Sequence, residues 1–386
     1  MPVHLRRPDA PSKRTEPRAR IEMLDGLRGL AIVLVVLSHG WVIWPTDFID
    51  NNELTRSLFR NGNFAVTIFL FAAGFFTYRA LVGRTGERNR IGTGFVRRVL
   101  RVAPITLVVL PVIVLVGVFD DSDTTSSETN GISIWYIVTY RWNWFLQTRL
   151  PEARWDLGHL WYLSVDMQAF VLMAFVIYLL RRQPWGLVLT LTGMFALFTW
   201  WRMHVAELED PLLVLLRTTA RIDAFIAGVL LGAVLALMTN VRIERRHLTI
   251  ASSVALASIV GLAWYCSRDA RYLHWGVTLL EVALFVAVGA AVLGARQPRL
   301  LSTPALTLLG RNSLPLYVWH YPVFAAVQRN TLDWAWGWRA ALAISLTVAL
   351  SVASHYLVER RVSRLLAHPF WKAGDRSRDA DRESVA

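Results

Sequence analysis

Apolar runs of about twenty residues dominate the chain, and short polar segments separate them. The runs lie near 24–44, 63–82, 99–118, 159–180, 185–203, 213–238, 248–266, 275–294, 304–328 and 338–358. A helix that crosses a hydrocarbon core of ~30 Å needs about that length. None of the runs shows the period-2 alternation of a barrel strand. The pattern therefore predicts an all-α polytopic membrane protein with about ten transmembrane helices. One interval, about 119–158, is much longer than the rest. Its first half, DDSDTTSSETNG, is polar and flexible-looking. Its second, SIWYIVTYRWNWFLQTR, is aromatic and reads as an amphipathic anchor at the interface or as a lid over a site beneath it.

Composition sharpens this picture. Of 386 residues, 54% are hydrophobic and only 18% are charged, against about 25% charged in ordinary soluble domains. The chain has 17 tryptophans, and indole rings gather at membrane–water interfaces. A soluble enzyme, a disordered chain and a disulfide scaffold are excluded. The single cysteine, Cys266, excludes an internal disulfide and a CxxC site, and no metal centre is expected. The formal charge of +13 rests on arginine, with Lys13 and Lys372 the only lysines. Those arginines sit in short segments between apolar runs. No continuous basic groove with interleaved aromatics is present, so the partner of the charge is a bilayer face and not nucleic acid.

The loops set an orientation. With the N-terminus inside, alternate segments hold Arg84, Arg88, Arg90, Arg97 and Arg98, then Arg181 and Arg182, Arg242, Arg245 and Arg246, Arg296 and Arg299, and finally Arg360, Arg361 and Arg364. The opposite loops hold Asp120, Asp121, Asp123 and Glu128, then Glu207, Glu209 and Asp210. Both termini are thus expected to be cytoplasmic. The organisation read from this is a basic cytoplasmic tail at 1–23, a membrane domain at 24–361 and a charged cytoplasmic tail at 362–386. Residues 1–20 lack the apolar core of a signal peptide.

Ionisable groups inside the runs are costly and mark candidate sites. Asp25, Arg28 and His39 lie in the first run. Arg28 and His39 return to within about 20° of one helix face, ~16 Å apart along its axis. Asp25 can pair with Arg28 one turn away. Asp166 lies ~10 Å beyond His159 in the fourth run, a depth similar to that of His39, which makes it the leading candidate to hold the His39 ring. Arg217, Arg221 and Asp223 occupy the sixth run and Glu281 the eighth; Arg221 with Asp223 suggests a structural pair. In LLGRNSLPLYVWHYPV, Pro315 predicts a kink, and His320 beside Trp319 is a packing or substrate-positioning residue. Arg97, Arg98 and Arg101 gather where cytoplasm meets membrane, and Arg98 and Arg101 share a helix face suited to phosphates.

Together these segments resemble the acyltransferase-3 family of integral membrane O-acyltransferases, typified by O-acetylases of bacterial surface polysaccharides. LDGLRGLAIVLVVLSH is similar to the family's opening signature, an Arg (Arg28) followed by a His (His39). IFLFAAGFF resembles FFVLSGF, with Ala73 replacing the usual Ser and Gly74 matched. FVRRVLRVAP resembles RRxxRxxP through Arg98, Arg101 and Pro104. GHLWYLSVDMQ resembles HxWSLSVEEQ, with Asp166 for the first acid and Met167 in place of the second. RIDAFIAG carries Arg221 and Asp223 of RxDxFxxG. LGRNSLPLYVWHYP and HYLVERRV, the latter with Glu359 and with Val362 where a proline is usual, resemble the late elements. The resemblance runs from Leu24 to Arg361.

That resemblance implies a ten-helix core that moves acyl groups, usually acetyl, from cytoplasmic acyl-CoA to hydroxyls of sugars or glycolipids. It implies a multi-pass protein of a bacterial cytoplasmic membrane, in a stand-alone form without a fused outer domain, with acetyl-CoA as donor substrate and no permanently bound cofactor. Arg97, Arg98 and Arg101 would hold the phosphates of the coenzyme. His39 would act as general base or as acyl carrier, with Arg28 and Asp166 beside it. An envelope sugar or a secondary metabolite such as a macrolide would supply the hydroxyl. A transporter and an acyl-CoA sensor are the rival classes. A sensor would need the arginines but not His39, and a repeat-built transporter would show internal symmetry that these halves lack.

Overall fold

A computed structural model describes residues 21–82, 90–238, 241–266 and 270–367. The tails at 1–20 and 368–386, and Arg84 and Arg88 of the first basic loop, lie outside these residues. In chain order, α1 (Glu22–Ile43) passes through the short α2 (Asp47–Asp50) and α3 (Glu53–Phe59) to α4 (Gly62–Leu81). The long α5 (Arg90–Phe119) is followed by α6 (Ser127–Val138), α7 (Trp142–Arg149) and α8 (Trp161–Leu180). Next come α9 (Pro184–Leu208), the short α10 (Pro211–Leu216), α11 (Ile222–Leu237), α12 (Arg245–Cys266) and α13 (Trp275–Val292). The chain closes with α14 (Pro304–Arg311), α15 (Ser313–Asn330), α16 (Trp336–Ser354) and α17 (Arg360–Ala367).

Among the described residues every regular element is helical, and each predicted apolar run coincides with a helix or a pair of helices. Seven stretches among the described residues are long and apolar enough to cross a membrane. The chain is an all-α, multi-span membrane protein. Three predicted runs fall outside that count: α9 is long but less apolar, α11 has 16 residues, and the run at 304–328 is divided in two.

Lipid tails are as apolar as leucine, so helix association here rests on close packing rather than on escape from water. Two glycine crossings supply it. A Cβ added at Gly29 would overlap the Leu306 carbonyl, and one at Gly310 would overlap the Asp25 carbonyl, so α1 and α14 meet backbone to backbone. Gly74 and Gly228 do the same for α4 and α11, against Phe225 and Phe71. The α1–α14 crossing fixes the rotation of the helix that carries both Arg28 and His39, and so decides which neighbours those two side chains meet.

Two expectations of shape are corrected. The bend predicted at Pro315 is a break three residues earlier, at Asn312, which ends α14 and opens α15. Pro315 has no N–H to give to the Arg311 carbonyl, so a continuous helix would lose a bond there; in the first turn of a new helix the loss costs nothing. The polar half of the long loop is likewise ordered. Ser126 caps α6 by accepting a bond from the Thr129 N–H, at 3.0 Å. Arg154, 1% exposed, donates to Asp156 at 2.7 Å, Asp123 at 2.6 Å and Asn130 at 2.5 Å. Arg329, at the end of α15, lies 3.4 Å from both Asp120 and Asp156. This latch clamps the loop onto α15. It also fixes the turn at Trp155–Leu160, which carries His159.

Candidate functional site

The His39 ring meets another imidazole. His39 Nδ1 and His320 Nε2 are 2.7 Å apart, and the rings lie edge to edge and nearly coplanar, 20° from parallel with their centroids 4.9 Å apart. The neighbours of His320 decide which nitrogen holds the proton. Its Nδ1 faces only carbonyl oxygens, of Tyr317 at 2.7 Å and Leu316 at 3.1 Å, and a carbonyl only accepts. In the neutral ring the His320 proton is therefore on Nδ1, and Nε2 carries a lone pair. The bond between the rings is then donated by His39 Nδ1–H, which leaves a lone pair on His39 Nε2. Among the described residues no group bonds to that nitrogen.

The sequence reading gave this partnership to Asp166, and the structure corrects it. The Asp166 carboxylate is taken by Arg98, whose Nη2 reaches Oδ1 and Oδ2 at 2.5 Å each. Arg98 also donates to Thr77 at 3.2 Å and lies over the Phe170 ring at 4.6 Å. The expected depth is also corrected: His159 is the residue of this segment level with His39, and Asp166, ~10 Å further along, lies beside Arg28 at the central cavity. The residue opposite His39 comes from α15, one turn beyond Leu316 and Tyr317.

A third imidazole was named in the sequence only as the start of a run. His159, 3% exposed, has its ring 6.4 Å from that of His39 and stacked on Tyr321 at 5.1 Å. Its Nε2 is 3.2 Å from the Val318 carbonyl, so Nε2 carries the proton of the neutral ring. Its Nδ1 is buried with no hydrogen-bond partner among the described residues. The Tyr317 hydroxyl donates to the His159 carbonyl and pins the turn from behind. The one available signal was its place at the head of GHLWYLSVDMQ, beside the aromatic run that packs on α15.

Toward the other end of α1, Arg28 donates to Ser313 at 2.8 Å and lies 3.8 Å from Asp25, itself 3.4 Å from Arg311. Arg28, Arg98, Arg101 and Asp166 line a central cavity of about 130 Å³ with Tyr162, Leu314 and Tyr317. Arg101 and Leu314 also line a second cavity, of about 400 Å³, with Arg97, Arg311 and Glu359. Tyr317 also lines a third, of about 420 Å³, which contains His39, His159, Trp155, Trp161 and Tyr321 and no charged residue. The three therefore lie in series from a basic end to an uncharged chamber, with Leu314, Tyr317 and Tyr321 of α15 forming one continuous wall. Of the three arginines expected to act together, Arg97 and Arg101 reach the basic cavity, whereas Arg98 is committed to Asp166.

The remaining predicted residues lie elsewhere. Arg221 and Asp223 do not pair with each other. Asp223 accepts from Arg202 Nε at 2.7 Å, both side chains fully buried. Arg221 turns to Tyr272, Asn63 and Thr67 at 3.2–3.3 Å. They sit in adjacent turns around the start of α11, which sends their side chains in different directions. Arg202 was missed, since an arginine near the end of an apolar run reads as an interfacial anchor. Buried Glu281 feels the same charges. Trp319 donates to Ser354 at 2.7 Å, behind the site, and Glu359 lies 3.1 Å from His355. Although three imidazoles meet, among the described residues no group of His, Cys, Asp and Glu is arranged to hold a metal ion.

Comparison with known proteins bears on this arrangement. A family model described as an acyltransferase domain matches residues 21–356. The peptidoglycan O-acetyltransferase OatA of Listeria monocytogenes is 23% identical over 91% of this chain and 57% of its own length. BcsY of Komagataeibacter xylinus, named as a membrane-bound transacylase, is 24% identical over 89% of this chain and 83% of its own. A Staphylococcus aureus (strain COL) protein named as an O-acetyltransferase is 20% identical over 80% of this chain and 52% of its own. The chain thus spans little more than half the length of the Listeria and Staphylococcus relatives. No solved structure matches.

Proposed function

Because the chain belongs to the acyltransferase-3 family of membrane acyltransferases, we propose that it moves an acetyl group from coenzyme A at its basic end to a hydroxyl in the uncharged chamber. The observation that carries this reading is the series of cavities ending at a bare His39 Nε2. Arg97, Arg101 and Arg311 would bind the coenzyme's phosphates, for which guanidinium forks are suited. Its arm would pass Arg28 and Tyr317, covering the ~16 Å between Arg28 and His39, and present the thioester beside His39.

His39 Nε2 would take the proton of the acceptor hydroxyl as its oxygen attacks the thioester carbonyl. The imidazolium formed donates through Nδ1 to the lone pair of His320, which shares the charge and is steadied by the Tyr317 carbonyl. This is the orienting role that a carboxylate plays beside a catalytic histidine, filled here by a second imidazole. Collapse of the tetrahedral intermediate breaks the C–S bond. The thiolate takes the proton back from His39, so protons balance over the cycle and a new ester remains. The acceptor would be a hydroxyl of an envelope sugar or glycolipid, the class to which the peptidoglycan named for OatA belongs. The basic end would face the cytoplasm of a bacterium, following the arginine-rich loops.

The test supplies labelled acetyl-CoA to the basic face of membranes holding wild type, His39→Ala or Arg101→Ala with Arg311→Ala. Wild type should label the glycan or lipid fraction. His39→Ala should lose transfer by about 10²–10⁴-fold, and the double arginine variant should raise KM for acetyl-CoA about tenfold with kcat little changed. Ordinary turnover by His39→Ala would sink the assignment.

A further inference from the structure

We propose that His159 is an acceptor-binding residue, and that the acceptor carries a second hydroxyl next to the one that is acylated. The inference rests on the acyl-transfer reading for which hydroxyl reacts, but the binding it describes stands apart from turnover. His159 Nε2 is spent on the Val318 carbonyl, while Nδ1 is buried and unpartnered among the described residues. A polar nitrogen left so in the bundle costs free energy unless something arrives to satisfy it. The ring lines the same chamber as His39, and the two rings approach edge to face at 6.4 Å. Two rings that line one chamber thus carry unpaired lone pairs, on His39 Nε2 and on the buried His159 Nδ1, and both can only accept a hydrogen bond. A lone hydroxyl has one proton and satisfies one of them. Two hydroxyls on neighbouring carbons satisfy both.

The rest of the chamber suits such a molecule. Trp155, Trp161 and Tyr321 offer ring faces to a carbon skeleton, and Leu146, Leu212 and Leu215 make its walls apolar. With no charged residue in the lining, a carboxylate or phosphate at the reacting end would go unpaired. The acceptor is therefore a neutral vicinal diol on a ring or chain. His159 holds the hydroxyl that does not react, and so selects which hydroxyl reaches His39. The residue is also kept from turning away: Tyr321 stacks on its face, and Tyr317 holds its carbonyl.

The probes are cis-1,2-cyclohexanediol and cyclohexanol, which differ by one hydroxyl. Each is titrated against the full chain in nanodiscs by saturation-transfer NMR, with empty nanodiscs as the blank. Wild type should bind the diol about tenfold more tightly than the alcohol, as one added hydrogen bond to a buried acceptor implies. His159→Phe should bring the ratio close to one while cyclohexanol binding is kept, and His159→Gln, which restores an acceptor oxygen, should recover part of it. Comparing ratios cancels membrane partitioning, and the thermal midpoint of each variant shows whether it is folded. Equal binding of the two probes by wild type, a preference that survives in His159→Phe, or binding of neither would overturn the proposal. The same samples are then given acetyl-CoA. Diol that binds but is never esterified would count against the acyl-transfer reading and leave the diol site standing.

Discussion

Two polar clusters lie deep in this bundle, and they have been finished differently. Around Arg202, the guanidinium gives its protons to Asp223, Thr278 and the carbonyls of Leu273 and His274. Arg221 is spent beside it on Tyr272, Asn63 and Thr67. That cluster is closed off from ligands, since neither Arg202 nor Asp223 lines any of the cavities described, although Arg221 Nε and both oxygens of Glu281 are buried there without a hydrogen-bond partner among the described residues. The histidine cluster is open. Its bonds run from a backbone carbonyl through His320 to His39 and stop at a lone pair on a ring that lines the uncharged chamber, with a second unpartnered lone pair on His159. Buried charge holds a membrane fold together when its partners are complete. Buried polarity becomes reactive when one partner is left for a substrate to supply.

The largest effect expected from this contrast is on the closed cluster. Removing one partner, as in Asp223→Ala, takes from buried Arg202 the carboxylate it bonds directly and should cost about 3–5 kcal/mol of stability. It would be read as a collapse of the thermal midpoint in detergent, together with loss of expressed protein. A fold that tolerates Asp223→Ala with an unchanged midpoint would erase the distinction between the clusters. In the open cluster, His320→Phe should leave the midpoint nearly unmoved but lower kcat about a hundredfold, because His39 loses the group that orients it and shares its proton. A proportionate loss of stability and activity would instead make His320 a packing residue.

The smallest effect concerns the latch, which lies in the loop beyond α5. Burial pushes the Asp123 carboxyl up, but hydrogen bonds from Thr125 and the charges of Arg154 and Arg329 more than offset this and bring it below 3.8, its ordinary value. Asp120 is lowered in the same way, by Ser122, Asn330 and Arg329 against the cost of burial. Groups lowered on folding stabilise the latch fully above the unfolded value, and that stability is lost as pH falls through the folded values. Protease nicking of the 119–126 segment should therefore stay flat from neutral pH down to about 4 and rise only below that. Loosening already near pH ~6 would mean that another group governs the loop.

Much of the fold was legible in the sequence because membrane crossing imposes a length, and length is a one-dimensional property. The run at 63–82 became the helix Gly62–Leu81, and the run at 275–294 became Trp275–Val292. The Arg28–His39 stripe on a single helix was legible as well. Depth across helices, rotation and neighbour choice were not. Asp166 was set level with His39, but it lies with Arg28 and Arg98 at the central cavity, and His159, ~10 Å before it along the helix, is the residue level with His39. Arg221 and Asp223 are neighbours in sequence and bond to different helices. His320 was a packing or substrate-positioning candidate with no partner assigned, and His159 becomes a functional candidate only once the latch brings it to His39. Each of these features depends on a contact between segments far apart in the chain, and no periodicity reports it.

The hydrogen-bonded chain behind His39 ends on the Tyr317 carbonyl and not on a carboxylate, and this has an electrical consequence. At rest the chamber around His39 holds no fixed charge, while Asp25, Arg28, Arg98, Arg101, Asp166 and Arg311 all lie on the side of the path nearer the basic end. On the proposed mechanism the group delivered would be neutral, and the proton borrowed by His39 would return to the departing sulfur. A full cycle then carries no net charge from one face of the membrane to the other. The position of equilibrium along this path would be indifferent to the transmembrane voltage, with the thioester as its only driving force.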